Sequence, residues 1–164
     1  MRRARGARSA LRGRTPPTWR RTSQRWQAGA FACLCPTTER DLGDGLPDLG
    51  ALVAAGVRLC TGVDSHVLTD PFEDMRGLEL GERLRTGRRV TLRPAGGQTP
   101  AEALWQMGGL FGAQACGFAD AGGEILLDRG APALQLVDEA HLLDAVVYAG
   151  GPRLVLGHRP RTAG

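Results

Sequence analysis

Apolar residues along this chain fall in short runs closed off by proline, glycine and acid. Ala30-Phe31-Ala32-Cys33-Leu34 is continuous, as a strand covered on both faces requires. Pro36 stops it. Pro47 opens a helix at its first turn, with Leu49, Leu52 and Val53 at helical spacing and Gly56 at the left-handed C-terminal position. Val57 to Thr61 reads as the next strand. Strand, loop, helix and strand within about 35 residues make a βαβ unit and hence a parallel sheet. Asp70-Pro71-Phe72-Glu73 places an N-cap, a proline at N1 and an acid at N3, predicting a helix to about Leu84. Thr99-Pro100-Ala101-Glu102 repeats the device for a helix to about Cys116, weakened by Gly108-Gly109 at about 1 kcal/mol per glycine. The basic, glycine-rich stretch 85–97 between them reads as a loop.

The last 45 residues change character. Glu124-Ile125-Leu126-Leu127, Leu134-Gln135-Leu136-Val137, Ala145-Val146-Val147-Tyr148 and Arg153-Leu154-Val155-Leu156 are short apolar runs. Ala149-Gly150-Gly151-Pro152 reads as a hairpin turn, predicting a small β module. Residues 1–25 carry arginine without an apolar period and predict disorder. Order is expected from Trp26. The chain thus divides into a disordered segment 1–25, an α/β body 26–118 and a β module 119–164.

Composition changes this picture in one respect. The 164 residues, 42% apolar, suffice for one core, and no apolar run approaches the roughly 20 residues of a membrane span. The net charge of +4 is unevenly spread. Residues 1–38 hold nine arginines and no acid, while residues 39–164 hold twelve arginines against seventeen acids. The body is therefore acidic, and nucleic acid is not its expected partner. All basic residues are arginine, which fits the codon bias of a GC-rich genome. For residues 1–25 three readings stand: an Arg-rich transit peptide, a basic nucleic-acid-binding arm, or out-of-frame translation upstream of a truncated reading frame. Cys33 and Cys35 share one strand face and lack the CxxC spacing of zinc or redox sites; with Cys60 and Cys116 they are expected as buried thiols of a reducing cytosol.

Both predicted strands end in clusters of reactive side chains, where α/β enzymes present their chemistry. These clusters are Cys35-Pro36-Thr37-Thr38-Glu39, followed by Asp41-Leu42-Gly43-Asp44-Gly45, and Gly62-Val63-Asp64-Ser65-His66. With Glu73-Asp74-Met75-Arg76-Gly77-Leu78-Glu79, Glu82-Arg83-Leu84-Arg85, Thr99-Pro100-Ala101-Glu102 and Gly130-Ala131-Pro132-Ala133, the chain resembles the amidohydrolase superfamily and, within it, the formimidoylglutamate deiminases, from about Ala28 to His158. The resemblance is to the C-terminal part of that family.

The resemblance implies a metal-dependent (β/α)8 barrel, here its last strands and helices, followed by part of a small β-sandwich. It implies hydrolysis of the C=N bond of N-formimino-L-glutamate to N-formyl-L-glutamate and ammonia, in histidine degradation in the cytoplasm. Asp64 matches the family's strand-eight aspartate, a ligand of zinc or another divalent metal that also receives a proton from the activated water. Thr38 and Glu39 would lie on the loop after strand seven at the pocket mouth, with helix capping or loop hydrogen bonding an equal account. His66 would hold substrate or orient Asp64, or stand by as an exposed loop residue.

The departures are as informative. The family's histidines of strands one, five and six have no counterpart, Thr22-Ser23-Gln24-Arg25 standing where the last would precede Cys33. Leu134 stands where an acid is usual. A whole barrel takes about 250 residues. The expectation is an incomplete chain, inactive alone and not binding metal stably, unless a separate N-terminal half completes it. Alternatives are another amidohydrolase-type deaminase acting on an amidine or aminated ring, and a non-catalytic remnant with a nucleic-acid-binding arm.

Overall fold

The computed structural model describes residues 29–92, 99–119 and 122–160. The readings made for residues 1–25 and for Trp26 lie outside them, as does most of the second half of the 85–97 loop.

The expected βαβ unit is present. Strand β1 (Phe31–Leu34) pairs in parallel with β2 (Arg58–Thr61), Cys33 opposite Cys60 and Leu34 opposite Thr61. The Gly62 N–H donates to the Leu34 carbonyl at 2.9 Å, carrying the ladder one residue past β2. Two helices, not one, connect the strands. Pro36 does not merely stop β1; it occupies the first turn of helix α1 (Pro36–Leu42), where its missing N–H costs nothing. Gly43 ends α1 at φ 72°. Helix α2 (Leu49–Ala54) begins two residues after Pro47, capped by the Asp48 side chain on the Ala51 N–H.

Helix α3 (Pro71–Thr86) has the expected start, Asp70 accepting from the Phe72 and Glu73 N–H groups. At Thr99 both halves of the capping box form. The helix it opens is split at Gly109 into α4 (Pro100–Gly108) and α5 (Leu110–Ala115), so the glycine pair breaks the helix instead of only weakening it.

The C-terminal segment departs furthest from expectation. Strands β3 (Gly123–Leu127) and β4 (Val155–Pro160) form an antiparallel pair. Between them, residues 134–136 lie in a turn, Val137 is irregular, and Ala145–Tyr148 lies within helix α6 (Leu142–Ala149). Residues 149–152 run from the end of that helix, capped by Gly150, into a 3-10 turn that starts at Pro152, and they form no hairpin. The physical reason is burial: Val146 and Val147 are closed off against α3 and α4, and Asp138 caps the helical entry through the His141 N–H. Two 3-10 turns, Glu139–His141 and Pro152–Leu154, flank α6.

One hydrophobic core serves the described residues. Leu34 and Leu59 from the sheet, Met75 and Leu78 from α3, Leu104 from α4, and Leu134, Val146, Val147 and Leu154 all belong to it. Arg76 joins α3 to α6: its guanidinium donates to the Val147 carbonyl at 3.3 Å and the Gly150 carbonyl at 2.6 Å, at the carbonyl end of the helix dipole. The architecture is mixed α/β. No helix of the described residues is long and apolar enough to cross a membrane.

Candidate functional site

The carboxyl ends of β1 and β2 lie side by side because the strands are parallel, and the two sequence clusters meet there. Thr38, two residues into α1, is buried beneath the loop that follows β2. Its hydroxyl donates to the Val63 carbonyl at 2.6 Å. That commits its single proton, so at the 2.9 Å contact the Ser65 hydroxyl donates to Thr38 Oγ1. The Ser65 N–H adds a third bond to the same oxygen at 3.1 Å. Thr38 thus pins the residues on both sides of Asp64, from a helix and not from the expected loop.

Asp64 itself has φ 59° and His66 φ 57°, both in the left-handed region that non-glycine residues seldom occupy. Each such residue costs on the order of 1 kcal/mol, which the Thr38 bonds offset. Both side chains are exposed, and neither forms a hydrogen bond or ion pair with another described residue. The structure brings Asp64 and His66 onto one loop without joining them.

Glu39 is engaged with the backbone of its own helix start. Its carboxylate accepts from the Cys35 N–H at 3.0 Å, closing the start of α1. Burial pushes its carboxyl above the usual range, against the lowering effect of that N–H, and the charges of Asp44 and Asp74 push the same way. Glu39 lines a groove of about 420 Å³ with Arg40, Leu46, Glu73 and Leu80, between α1 and α3. Asp64 and His66 do not line it. The capping account of Glu39 is the one the geometry favours.

Two polar clusters escaped sequence reasoning. Asp74, 1% exposed, accepts from the Thr37 N–H at 3.2 Å and the Thr37 hydroxyl at 2.8 Å, both on Oδ1. Its Oδ2 has no partner, and burial raises its carboxyl above the usual range despite the Thr37 bonds. Glu79, fully buried, accepts from Arg83, from the Thr91 N–H and hydroxyl, and from the Leu92 N–H. Burial alone would raise Glu79; these donors outweigh it and hold it low. The signal for both was the acid content of a helix face otherwise apolar. Glu73 differs, being held low by Arg40 and Arg76, its bridges to α1 and within α3.

The fit to a metal can be judged from the donor set. Among the described residues no three His, Cys, Asp or Glu side chains come together to hold a metal ion. The chain's histidines sit apart: His66 on the loop after β2, His141 on a 3-10 turn and His158 on β4. Catalytic zinc takes about three protein ligands plus water. Asp64 offers one carboxylate, so these residues alone do not fit a divalent metal centre.

Comparison with known proteins bears on the strand-end arrangement. The chain is 36% identical over 136 residues to the formimidoylglutamate deiminase of Pseudomonas aeruginosa, a match covering 79% of this chain and 30% of that protein. The fold superposes on the crystal structure of an amidohydrolase from Brucella melitensis with TM-score 0.72 and 28% identity, over 87% of this chain and 32% of that one. The chain is amidohydrolase-like. E. coli guanine deaminase shares the fold at TM-score 0.64 and 19% identity, over 87% of this chain and 34% of its own. No family model matches the chain. This amidohydrolase-like chain spans about a third of the length of these relatives.

Proposed function

We propose that this chain supplies one wall of an amidohydrolase-type site that hydrolyses a non-peptide C–N bond, with N-formimino-L-glutamate as substrate and N-formyl-L-glutamate and ammonia as products, in the cytoplasm. The observation that carries the reading is the 36% identity with a formimidoylglutamate deiminase over most of the chain. The likeness to guanine deaminase is of fold alone and gives no preference for an aminated ring.

On this reading β1, β2 and their helices are strands and helices of a (β/α)8 barrel, and β3 and β4 are part of an accompanying β-sandwich. Asp64 is the chain's contribution to the reacting centre: a carboxylate at a strand end, fixed in place through Thr38 and Ser65, able to take a proton from an attacking water. Thr38 is a positioning residue. Glu39 closes the start of α1, and His66 stands at the rim. Since the described residues do not by themselves fit a metal centre, the histidine-bearing remainder of such a barrel completes the site on this reading. The acidic body makes nucleic acid an unfavoured partner.

Ammonia release from N-formimino-L-glutamate tests this directly. The purified chain, with added zinc, is expected to give only background. Mixed with the remaining two thirds of a formimidoylglutamate deiminase, expressed as a separate polypeptide, it is expected to form a complex that releases ammonia well above background. Turnover by the chain alone would contradict the shared site, and an inactive complex would contradict the reaction.

A further inference from the structure

Three of the four cysteines gather on one face of the β1–β2 sheet at its carboxyl end. The parallel register sets Cys33 directly opposite Cys60. Adjacent strands lie about 4.8 Å apart, within the roughly 4.4–6.8 Å that the Cα atoms of a disulfide span. Period two along β1 puts Cys35 on the same face as Cys33, about 6.6 Å away and at the far limit of that span. A Cβ on Gly62 would stand 2.9 Å from Cys33 Sγ and 3.3 Å from Cys35 Sγ, so the missing side chain at 62 makes room for both sulfurs.

The thiols differ in access. Cys33 is exposed, Cys35 half-buried and Cys60 buried, its thiol pointing to the Ala32 carbonyl at 3.6 Å. Cys33 is near enough to both of the others to perturb their thiols. Burial first and the neighbouring thiols next push Cys60 up to about 11. The same causes, together with the carboxylates of Glu39 and Asp64, push Cys35 up to about 11 as well. Both are therefore protonated at neutral pH, and an oxidant arriving from solvent meets Cys33 first.

We propose that Cys33 is a site of reversible oxidation by hydroperoxides and that it closes a disulfide with Cys60. The Cys33 sulfur attacks one oxygen of hydrogen peroxide, breaking the O–O bond to give a sulfenic acid and one water. The Cys60 sulfur then displaces the sulfenic hydroxyl, which leaves with the Cys60 proton as a second water. Two thiols lose two electrons and the peroxide gains them. The bridge draws Cys33 away from Gly62, two residues before Asp64, so the modification reaches the candidate site without relying on the deiminase reading.

Peptide mapping of the full chain decides the matter. Trypsin cutting after Arg25, Arg40, Arg58 and Arg76 places Cys33 and Cys35 in peptide 26–40, Cys60 in peptide 59–76 and Cys116 in a third. After hydrogen peroxide treatment of the native protein and alkylation, the expected product is peptide 26–40 joined to 59–76 and separated by dithiothreitol. The link is expected to persist in Cys35→Ser and Cys116→Ser and to vanish in Cys33→Ser. A bridge within peptide 26–40, oxidation confined to Cys116, or a peptide 59–76 that remains fully alkylated would overturn the proposal. Fragmentation of the linked wild-type peptides assigns the bridge to Cys33 or to Cys35 whatever the variants do to folding, and a Cys35–Cys60 bridge would likewise overturn the proposal.

Discussion

Asp74 shows how a single side chain can be held at a cost. Its Oδ1 ties α3 to the start of α1 through Thr37, while its buried Oδ2 is left without a partner. An acid whose carboxyl is raised in the folded state binds its proton more tightly there than in the unfolded chain. Its favourable contribution is then full below the ordinary aspartate range, near pH 4, and is lost as pH rises through the higher folded value. Asp74→Asn keeps an oxygen for Thr37 and cannot ionise. Urea unfolding of this variant is expected to match wild type near pH 3 and to exceed it by about 1 kcal/mol at pH 7. A variant less stable than wild type at both pH values would contradict this account. Glu39, raised by burial in the same direction, adds to the wild-type decline with pH.

Among the elements, α3 organises the described structure, and Glu79 is the reason it can. Four donors converge on its carboxylate, two of them the backbone N–H groups of Thr91 and Leu92, which have left α3 and turned back toward it. Glu79→Ala removes the acceptor from all of them, at an expected loss of about 3 kcal/mol at pH 7. Because the donors hold Glu79 low, its contribution exists above the ordinary glutamate range and is lost as pH falls through the depressed value. The gap between variant and wild type should therefore narrow at acid pH, and amide exchange at Thr91 and Leu92 should quicken. Unchanged exchange at those two residues would sink the assignment.

The starts of elements were the legible part of the sequence. Asp70-Pro71 and Thr99-Pro100 carry their own signals, which the structure follows to the atom pair. Helix α1 was missed because Pro36 serves equally as a strand stop and as a first helical residue. Ala145–Tyr148 was misread because a four-residue apolar run fits a buried strand and a buried helix alike, and only its burial against α3 and α4 decides. The strand-end clusters were visible as motifs. Their joining was not, since Thr38 lies 25 residues before Val63 and only the parallel pairing brings them within 2.6 Å.

On the scale of the whole molecule, the chain combines a well-capped α/β core with a candidate reacting group, Asp64, that has little around it. Asp64 stands at the carboxyl end of a two-stranded parallel sheet, on a left-handed loop that Thr38 keeps in place. Three histidines are scattered over separate elements, and about a third of the relatives' length is matched. These facts agree with the proposal that the chain lends one wall to a site that the rest of a barrel completes. The most direct measurement is kcat for ammonia release from N-formimino-L-glutamate by the complemented complex, wild type against Asp64→Asn. The account predicts a fall of about 10²–10⁴-fold with complex formation unchanged. Activity within a few-fold of wild type would contradict it.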